Sequence, residues 1–218
     1  MTDKAMTINS KTTKENQKMK DYTHICVVLD ASGSMASIEG DTKGSFNTFI
    51  KAQRNAGGRT VFDLYQFSDS VKRIVEHVDL SSFGEDLMAK YHCSGCTALN
   101  DAVCTAIDTL GRELAEMREE ERPENVIFAI ITDGMENASR EFTSEDVRRR
   151  IKEQTETYNW DFQFLAANQD AFASGSRLGI DMDKCASFVA DRKGVREMCC
   201  FLCDRIEHVK ATRKEKRP

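Results

Sequence analysis

Two uninterrupted runs of apolar residues, residues 25–29 and residues 126–131, come just before an aspartate. The first run leads directly into Asp30, and the second is separated from Asp133 by a single threonine. A short apolar run that ends in turn-forming residues is typical of a strand buried on both faces, and such strands lie in the middle of parallel sheets. We therefore predict two central strands, each followed by an aspartate.

The rest of the pattern predicts further strands and helices in alternation. Apolar residues recur with helical spacing at 43–54 and at 98–117, where one face stays apolar. Residues 60–67 alternate between apolar and polar side chains, and turn-forming residues at 68–70 separate them from a second strand-like run at 71–75. Two such runs joined by a short turn predict a hairpin with an antiparallel edge strand. The other predicted elements are helices at 82–90, 170–177 and 195–209, a helix capped by Thr143 and Asp146, and strands at 160–166 and 185–190. The predicted fold class is α/β: a doubly wound six-stranded sheet, mainly parallel with one antiparallel edge strand, with helices on both faces.

Oxygen-bearing side chains follow the predicted strands where they end. Asp30, Ser32 and Ser34 occupy alternate positions of one loop, Thr97 stands at the start of the long helix, and Asp133 ends the second apolar strand. In an open α/β sheet, ligands bind beyond the carboxyl ends of the strands, so we expect these five side chains to meet there if the two strands are neighbours. Ligation by oxygen alone suits a hard cation such as Mg²⁺ and does not suit zinc.

This ordered set resembles the metal-ion-dependent adhesion site (MIDAS) of the von Willebrand factor type A (vWA) family, whose domains have a doubly wound, Rossmann-like sheet. The resemblance extends from about Tyr22 to the last predicted helix. Residues 130–142 and 165–172 are similar to those of small stand-alone bacterial and phage members of that family.

The resemblance implies a binding device rather than an enzyme. It implies that Ser32, Ser34 and Thr97 ligate Mg²⁺ or Mn²⁺ through their hydroxyl groups, with Asp30 and Asp133 bound directly or through water. Two carboxylates neutralise a divalent cation, and an open coordination position still attracts a further carboxylate. The expected function is therefore metal-dependent binding of a partner protein that presents an aspartate or glutamate, with no catalytic residue.

Two other functions remain open at this point. The same metal could support hydrolysis of a phosphoester-like substrate, with His92 or Glu136 as base, although His92 is also interpretable as an exposed loop residue and Glu136 as a cap. Asp, Ser and Thr in the five candidate positions could also serve only in turns and caps. Near the same edge, residues 168–170 are predicted to cap the next helix, or alternatively to contact a ligand beside the metal.

Four of the eight cysteines suggest a zinc- or thiol-regulated sensor as a further alternative. Cys93 and Cys96 precede Thr97 closely, and they form half of a zinc site if His92, or Cys200 with Cys203, completes it. They could equally form a redox switch, whose oxidation would move Thr97.

Composition places limits on these functions. A chain of 218 residues with 40% hydrophobic and 31% charged residues suits one globular domain, predicted at residues 22–210 between a polar tail at 1–21 and a basic tail at 211–218. A net charge of −5 gives no reason to expect nucleic-acid binding. No apolar run is long enough for a membrane span or an export signal, so a cytoplasmic location with reduced thiols is expected. The partner and the oligomeric state are left open.

Overall fold

The computed structural model describes residues 21–82, 84, 86–167 and 170–215, without the side chain of Lys214. Most of the predicted N-terminal tail and residues 168–169 lie outside the described residues. The strands are β1 (Tyr22–Asp30), β2 (Arg59–Phe67), β3 (Val71–Asp79), β4 (Asn125–Thr132), β5 (Asp161–Ala167) and β6 (Cys185–Phe188). The α-helices are α1 (Glu39–Asn55), α2 (Leu99–Glu116), α3 (Ser144–Tyr158), α4 (Ala171–Arg177) and α5 (Arg192–Glu215).

The six strands form one sheet in the order β3-β2-β1-β4-β5-β6. Every neighbouring pair is parallel except β2 and β3, which form the antiparallel hairpin at one edge. The predicted α/β fold class is therefore confirmed, including the adjacency of the two apolar strands β1 and β4. After β1 the chain adds β2 and β3 on one side of it, and it then returns to add β4, β5 and β6 on the other side. The direction of strand order therefore reverses between β1 and β4, and in such folds a crevice opens at the carboxyl ends of these two strands.

Helices cover both faces of the sheet. On one face, α1 and α5 pack against alternate residues of β1, including Ile25, Val27 and Leu29. On the other face, α2, α3 and α4 pack against the intervening residues, including Cys26 and Val28. All of β1 is consequently buried, which explains the uninterrupted apolar run at residues 25–29.

Three local predictions differ from the structure. The helix predicted at 82–90 is wrong: the Asp86 side chain accepts the Met88 N–H at 2.9 Å, and residues 87–90 form turns. Helix α1 begins at Glu39, directly after a 3₁₀ turn at Gly33–Ile38, rather than at residue 43. Helix α5 continues to Glu215, so its last residues overlap the predicted basic tail.

None of the helices in the described part of the chain is both long enough and apolar enough to cross a bilayer.

Candidate metal centre

The carboxylate of Asp30 organises the loop that follows β1. Its side chain is fully buried, with Oδ1 accepting the Ser32 N–H at 2.8 Å and Oδ2 accepting the Thr132 hydroxyl at 2.6 Å. Burial raises the pKa of Asp30, while hydrogen bonds from Thr132 and Ser32 act in the opposite direction. The Tyr91 hydroxyl donates to the Asp30 backbone carbonyl at 2.5 Å, which anchors the end of the strand from below. Asp30 therefore places negative charge beneath the two serines without a basic partner of its own.

The two serines and Asp133 form a continuous line of oxygen atoms. Ser32 Oγ and Ser34 Oγ lie 3.0 Å apart, and the Ser34 hydroxyl donates to Asp133 Oδ1 at 2.6 Å. Ser32 and Asp133 are buried, whereas Ser34 is exposed. The line therefore connects the loops after β1 and β4, and it is open to solvent at Ser34.

Thr97 completes the group from a third loop. A Cβ atom added to Gly134 would lie 3.3 Å from Thr97 Oγ1 and 4.0 Å from Ser34 Oγ, so both hydroxyl groups border the same small space. The Asn137 side chain accepts the Thr97 N–H at 2.9 Å, and the Asn137 N–H donates to the Thr97 carbonyl at 3.0 Å. The structure thus brings all five predicted side chains to one edge of the sheet, and it adds Asn137 as a positioning residue that the sequence analysis missed.

Glu136 is used to hold the loop after β4 against α2. Its Oε1 accepts the N–H groups of Ala138 and Ser139, and its Oε2 accepts the Asn100 N–H at 2.8 Å. On α2 itself, both carboxylate oxygens of Asp101 accept backbone N–H groups of residues 140–142. The backbone N–H groups bound by Glu136 agree with the interpretation of this residue as a cap. They also occupy the carboxylate that a hydrolase would need as a general base.

His92 is an exposed residue paired with Glu39. Its side chain is 76% exposed, and its Nδ1 lies 3.2 Å from Glu39 Oε2. Hydrogen bonds from Lys43 and from the Cys93 N–H lower the pKa of Glu39 to about 2. Glu39 is therefore ionised at neutral pH, and its carboxylate engages the imidazole of His92.

The cysteines are not assembled into a zinc site within the described residues. Cys93 is buried and Cys96 is exposed, and neither takes part in a metal-sized group of His, Cys, Asp or Glu side chains there. Burial raises the pKa of Cys93 to about 11, and a hydrogen bond with Asp69 raises the pKa of Cys96. Both thiols therefore resist conversion to the reactive thiolate.

A second cluster, which the sequence analysis missed, lies near the other end of the sheet. His24, Asp63 and His77 place ligand atoms within 4.8 Å of one another. His24 precedes Asp30 by six strand residues, which corresponds to about 20 Å along β1. Its Nε2 lies 2.7 Å from Asp63 Oδ2, so these two groups share a hydrogen bond. The cluster is separate from the five oxygen ligands.

Arg73 fills the space where an ion would have to sit in this second cluster. Its Nη2 lies 3.0 Å from each Asp63 oxygen and 2.9 Å from His77 Nδ1, and its Nη1 donates to Glu113 at 2.6 Å. Burial favours the neutral form of Asp63, but hydrogen bonds from His24, Arg73 and the His77 N–H outweigh it and lower the pKa to about 2. The cluster is therefore a buried ion-pair network in this structure.

Comparison with solved structures identifies the fold. The structure of a von Willebrand factor type A protein from Catenulispora acidiphila superposes with a TM-score of 0.55 at 14% identity, over 83% of this chain and 41% of that one. The chain has the vWA fold. A second similar structure is proximal thread matrix protein 1 from the mussel byssus with a zinc-occupied MIDAS motif, with a TM-score of 0.55, 15% identity, and 84% and 47% of the two chains covered.

The PilB minor pilin of Streptococcus sanguinis has the same fold, with a TM-score of 0.64 at 12% identity over 91% of this chain and 64% of the pilin. This chain spans less than two thirds of each of these three proteins. No family model matches the chain, and no curated protein matches it in sequence. At these identities the likeness concerns the fold, and the chemistry of the site depends on the residues described above.

Proposed function

We propose that this chain is a metal-dependent protein-interaction module. Asp30, Ser32, Ser34, Thr97 and Asp133 would hold Mg²⁺ or Mn²⁺ and use it to bind an aspartate or glutamate of a partner protein. The observation that carries the proposal is the continuous line from Ser32 through Ser34 to Asp133, with Thr97 across Gly134. Three separate loops converge to make it, at the point in the sheet where vWA folds and other doubly wound folds bind ligands.

The donor set fits a hard divalent cation. All five side chains offer oxygen, which suits Mg²⁺ and Mn²⁺ better than softer metals. Asp30 has no basic partner among its hydrogen bonds, so a bound cation would supply the positive charge that its buried carboxylate lacks. The mussel protein named above binds zinc at a MIDAS, which supports metal binding by such a site in this fold.

The exposure of Ser34 supports the binding of a carboxylate from outside. Ser34 is exposed whereas Asp30, Ser32 and Asp133 are buried, so a cation held by these residues would be accessible to a carboxylate at Ser34. A partner carboxylate reaching that position would exchange a water ligand for an anionic one. Hydrolysis lacks comparable support, since Glu136 is bound by backbone N–H groups and His92 is paired with Glu39. The cytoplasmic location and the bacterial or phage origin stay predictions.

Calorimetric titration with Mn²⁺ and Mg²⁺ tests the metal site. We expect the wild type to bind one ion, and we expect Ser34→Ala and Asp133→Asn to bind at least tenfold more weakly because each variant removes one predicted ligand. Asp183→Asn is the matched control, because it removes an exposed carboxylate paired with Arg205, and we expect it to bind as the wild type does. Wild-type affinity in folded Ser34→Ala and Asp133→Asn would overturn the proposal.

A further inference from the structure

A basic recess of about 360 Å³ lies beside the candidate metal centre. The β2–β3 hairpin contributes Ser68, Ser70 and Lys72 to its lining, together with Gln66 and Ile74, and the segment before Thr97 contributes Lys90, His92 and Ser94. The lining therefore offers two ammonium groups, one imidazole and three hydroxyl groups, all of which can donate hydrogen bonds, and it contains no carboxylate. We call this surface the basic recess.

The two lysines of the basic recess are not neutralised by the protein itself. Within the described part of the chain, neither Lys72 nor Lys90 forms an ion pair. Glu39 pairs with Lys43 and with His92 of the recess, and Asp69 accepts the Cys96 N–H, so neither of these carboxylates is paired with Lys72 or Lys90. A local excess of positive charge thus stands on a chain whose net charge is −5.

The basic recess shares its walls with the metal loops. The Ser94 N–H donates to the Ala31 carbonyl at 2.7 Å, and the Ala98 N–H donates to the Ser68 carbonyl at 2.9 Å. Ser94 is three residues before Thr97, so their Cα atoms are at most about 11 Å apart. A ligand on the metal and a group in the basic recess would consequently be close neighbours on one surface.

We infer that the basic recess is a second acid-binding subsite for the same partner, an inference that rests on the proposed function. The partner would present an extended acidic segment, with one carboxylate on the metal and a second one held by Lys72 and Lys90. In an extended chain, alternate residues point to the same side and are about 7 Å apart, and the length of glutamate side chains covers the remaining distance. The segment recognised would therefore carry acidic residues at positions i and i+2.

Three capped seven-residue peptides test this inference in the presence of Mg²⁺. The first has two glutamates separated by one alanine, the second has glutamine in place of the second glutamate, and the third has phosphoserine there. We expect the diacid peptide to bind the wild type about fivefold more tightly than the monoacid peptide, which is the effect of one or two exposed ion pairs. In the Lys72→Gln/Lys90→Gln double variant this advantage should disappear, while binding of the monoacid peptide stays unchanged.

The matched control is the Lys51→Gln/Lys152→Gln double variant, which loses the same charge from two exposed lysines outside the recess. We expect it to keep the fivefold advantage, because the attraction comes from local contacts and not from net charge. Equal loss in both double variants would overturn the inference.

The outcomes separate this inference from the proposed function. Metal-dependent binding of the monoacid peptide with no gain for the diacid would overturn the subsite and leave the metal function intact. Diacid binding that survives chelator but is lost in Lys72→Gln/Lys90→Gln would support the subsite and overturn the metal-bound carboxylate. A gain for phosphoserine without a gain for glutamate would overturn the assignment to carboxylates, and no binding of any peptide would overturn both proposals.

Discussion

Asp30 and Asp63 are carboxylates on neighbouring strands, and both are fully buried, yet their surroundings differ in kind. Asp63 is surrounded by basic groups, and its pKa falls to about 2. Asp30 receives hydrogen bonds only from hydroxyl and backbone N–H groups, and burial raises its pKa. One charge is balanced by basic side chains within the protein, and the other has no basic hydrogen-bond partner; under the proposed function a bound cation would balance it.

The two carboxylates differ in whether the protein itself supplies a basic partner, and this difference separates a structural role from a candidate functional one. A buried ionic group that has all its partners contributes to structure, because removing one partner leaves the other uncompensated. A buried carboxylate without a basic partner raises the free energy of the folded protein until an ion binds.

Removing the Asp63 carboxylate should cost the most stability. Asp63→Ala leaves the fully buried His24 without its carboxylate partner and removes one of the two carboxylates that bind Arg73 most closely, and we expect the free energy of unfolding to fall by about 3–5 kcal/mol. Urea denaturation followed by circular dichroism measures the loss. Glu76→Ala is the control, because Glu76 also pairs with Arg73 but its own side chain is 73% exposed. We expect this variant to lower the free energy of unfolding by no more than about 0.5 kcal/mol. Similar losses in both variants would show that Asp63 has no special role.

Magnesium should stabilise the protein through Asp30. At an ion concentration one hundred times the dissociation constant, binding to the folded state adds about 2.7 kcal/mol to the free energy of unfolding. We expect this increment in the wild type and in Glu76→Ala, and we expect it to be absent in Asp30→Asn. Urea titrations with Mg²⁺ and with chelator measure it, and an undiminished increment in Asp30→Asn would remove Asp30 from the metal site.

Acid should abolish the contribution of Asp63. Because the folded pKa of about 2 lies below the ordinary value of 3.8, ionised Asp63 stabilises the fold above pH 3.8, and this stability is lost as the pH falls toward 2. We expect the ionisation of Asp63 to contribute about 2 kcal/mol at neutral pH. The difference in free energy of unfolding between wild type and Asp63→Asn, measured from pH 5 to pH 2, should shrink by that amount. A difference in free energy of unfolding that stays constant from pH 5 to pH 2 would show that the pKa of Asp63 is not lowered in the folded protein.

A methyl group at Gly134 should weaken the metal site with little effect on the fold. Its Cβ would lie 3.3 Å from Thr97 Oγ1, so the threonine or the loop has to shift by a few tenths of an ångström. We expect Gly134→Ala to bind Mn²⁺ about tenfold more weakly, which corresponds to about 1.4 kcal/mol. Gly44→Ala is the control, because its Cβ would contact nothing within 4 Å. Unchanged Mn²⁺ affinity in Gly134→Ala would mean that Thr97 is not a ligand.

The sequence predicted the parts of the site that depend on strand position. Asp30 and Asp133 follow apolar runs that are typical of buried strands, and the parallel pairing of β1 with β4 brings their loops together as expected if the strands were neighbours. Whether these side chains bind a metal stays a prediction. Asp170, which was predicted to cap the next helix, does cap α4 through the N–H groups of Phe172 and Ala173.

Contacts between distant loops could not be predicted in this way. Asn137 and Tyr91 act through hydrogen bonds to Thr97 and to Asp30, and their sequence neighbourhoods carry no periodic signal for such contacts. Asp63 belonged to an alternating strand, where a polar residue suggests an exposed face, but it is buried and bound by Arg73 of β3, which in turn pairs with Glu113 of α2. The helix at 82–90 was predicted from local pattern, and the turn at Asp86 replaced it.

The two edges of the sheet also determine how the molecule meets others in solution. Strand β6 has only four residues, and β3 carries charged side chains and an irregular register against β2, with His77 at a φ of 48°. Short, charged or irregular edges discourage another chain from adding a strand and so protect against aggregation. Edge-to-edge strand pairing with another chain is thereby disfavoured.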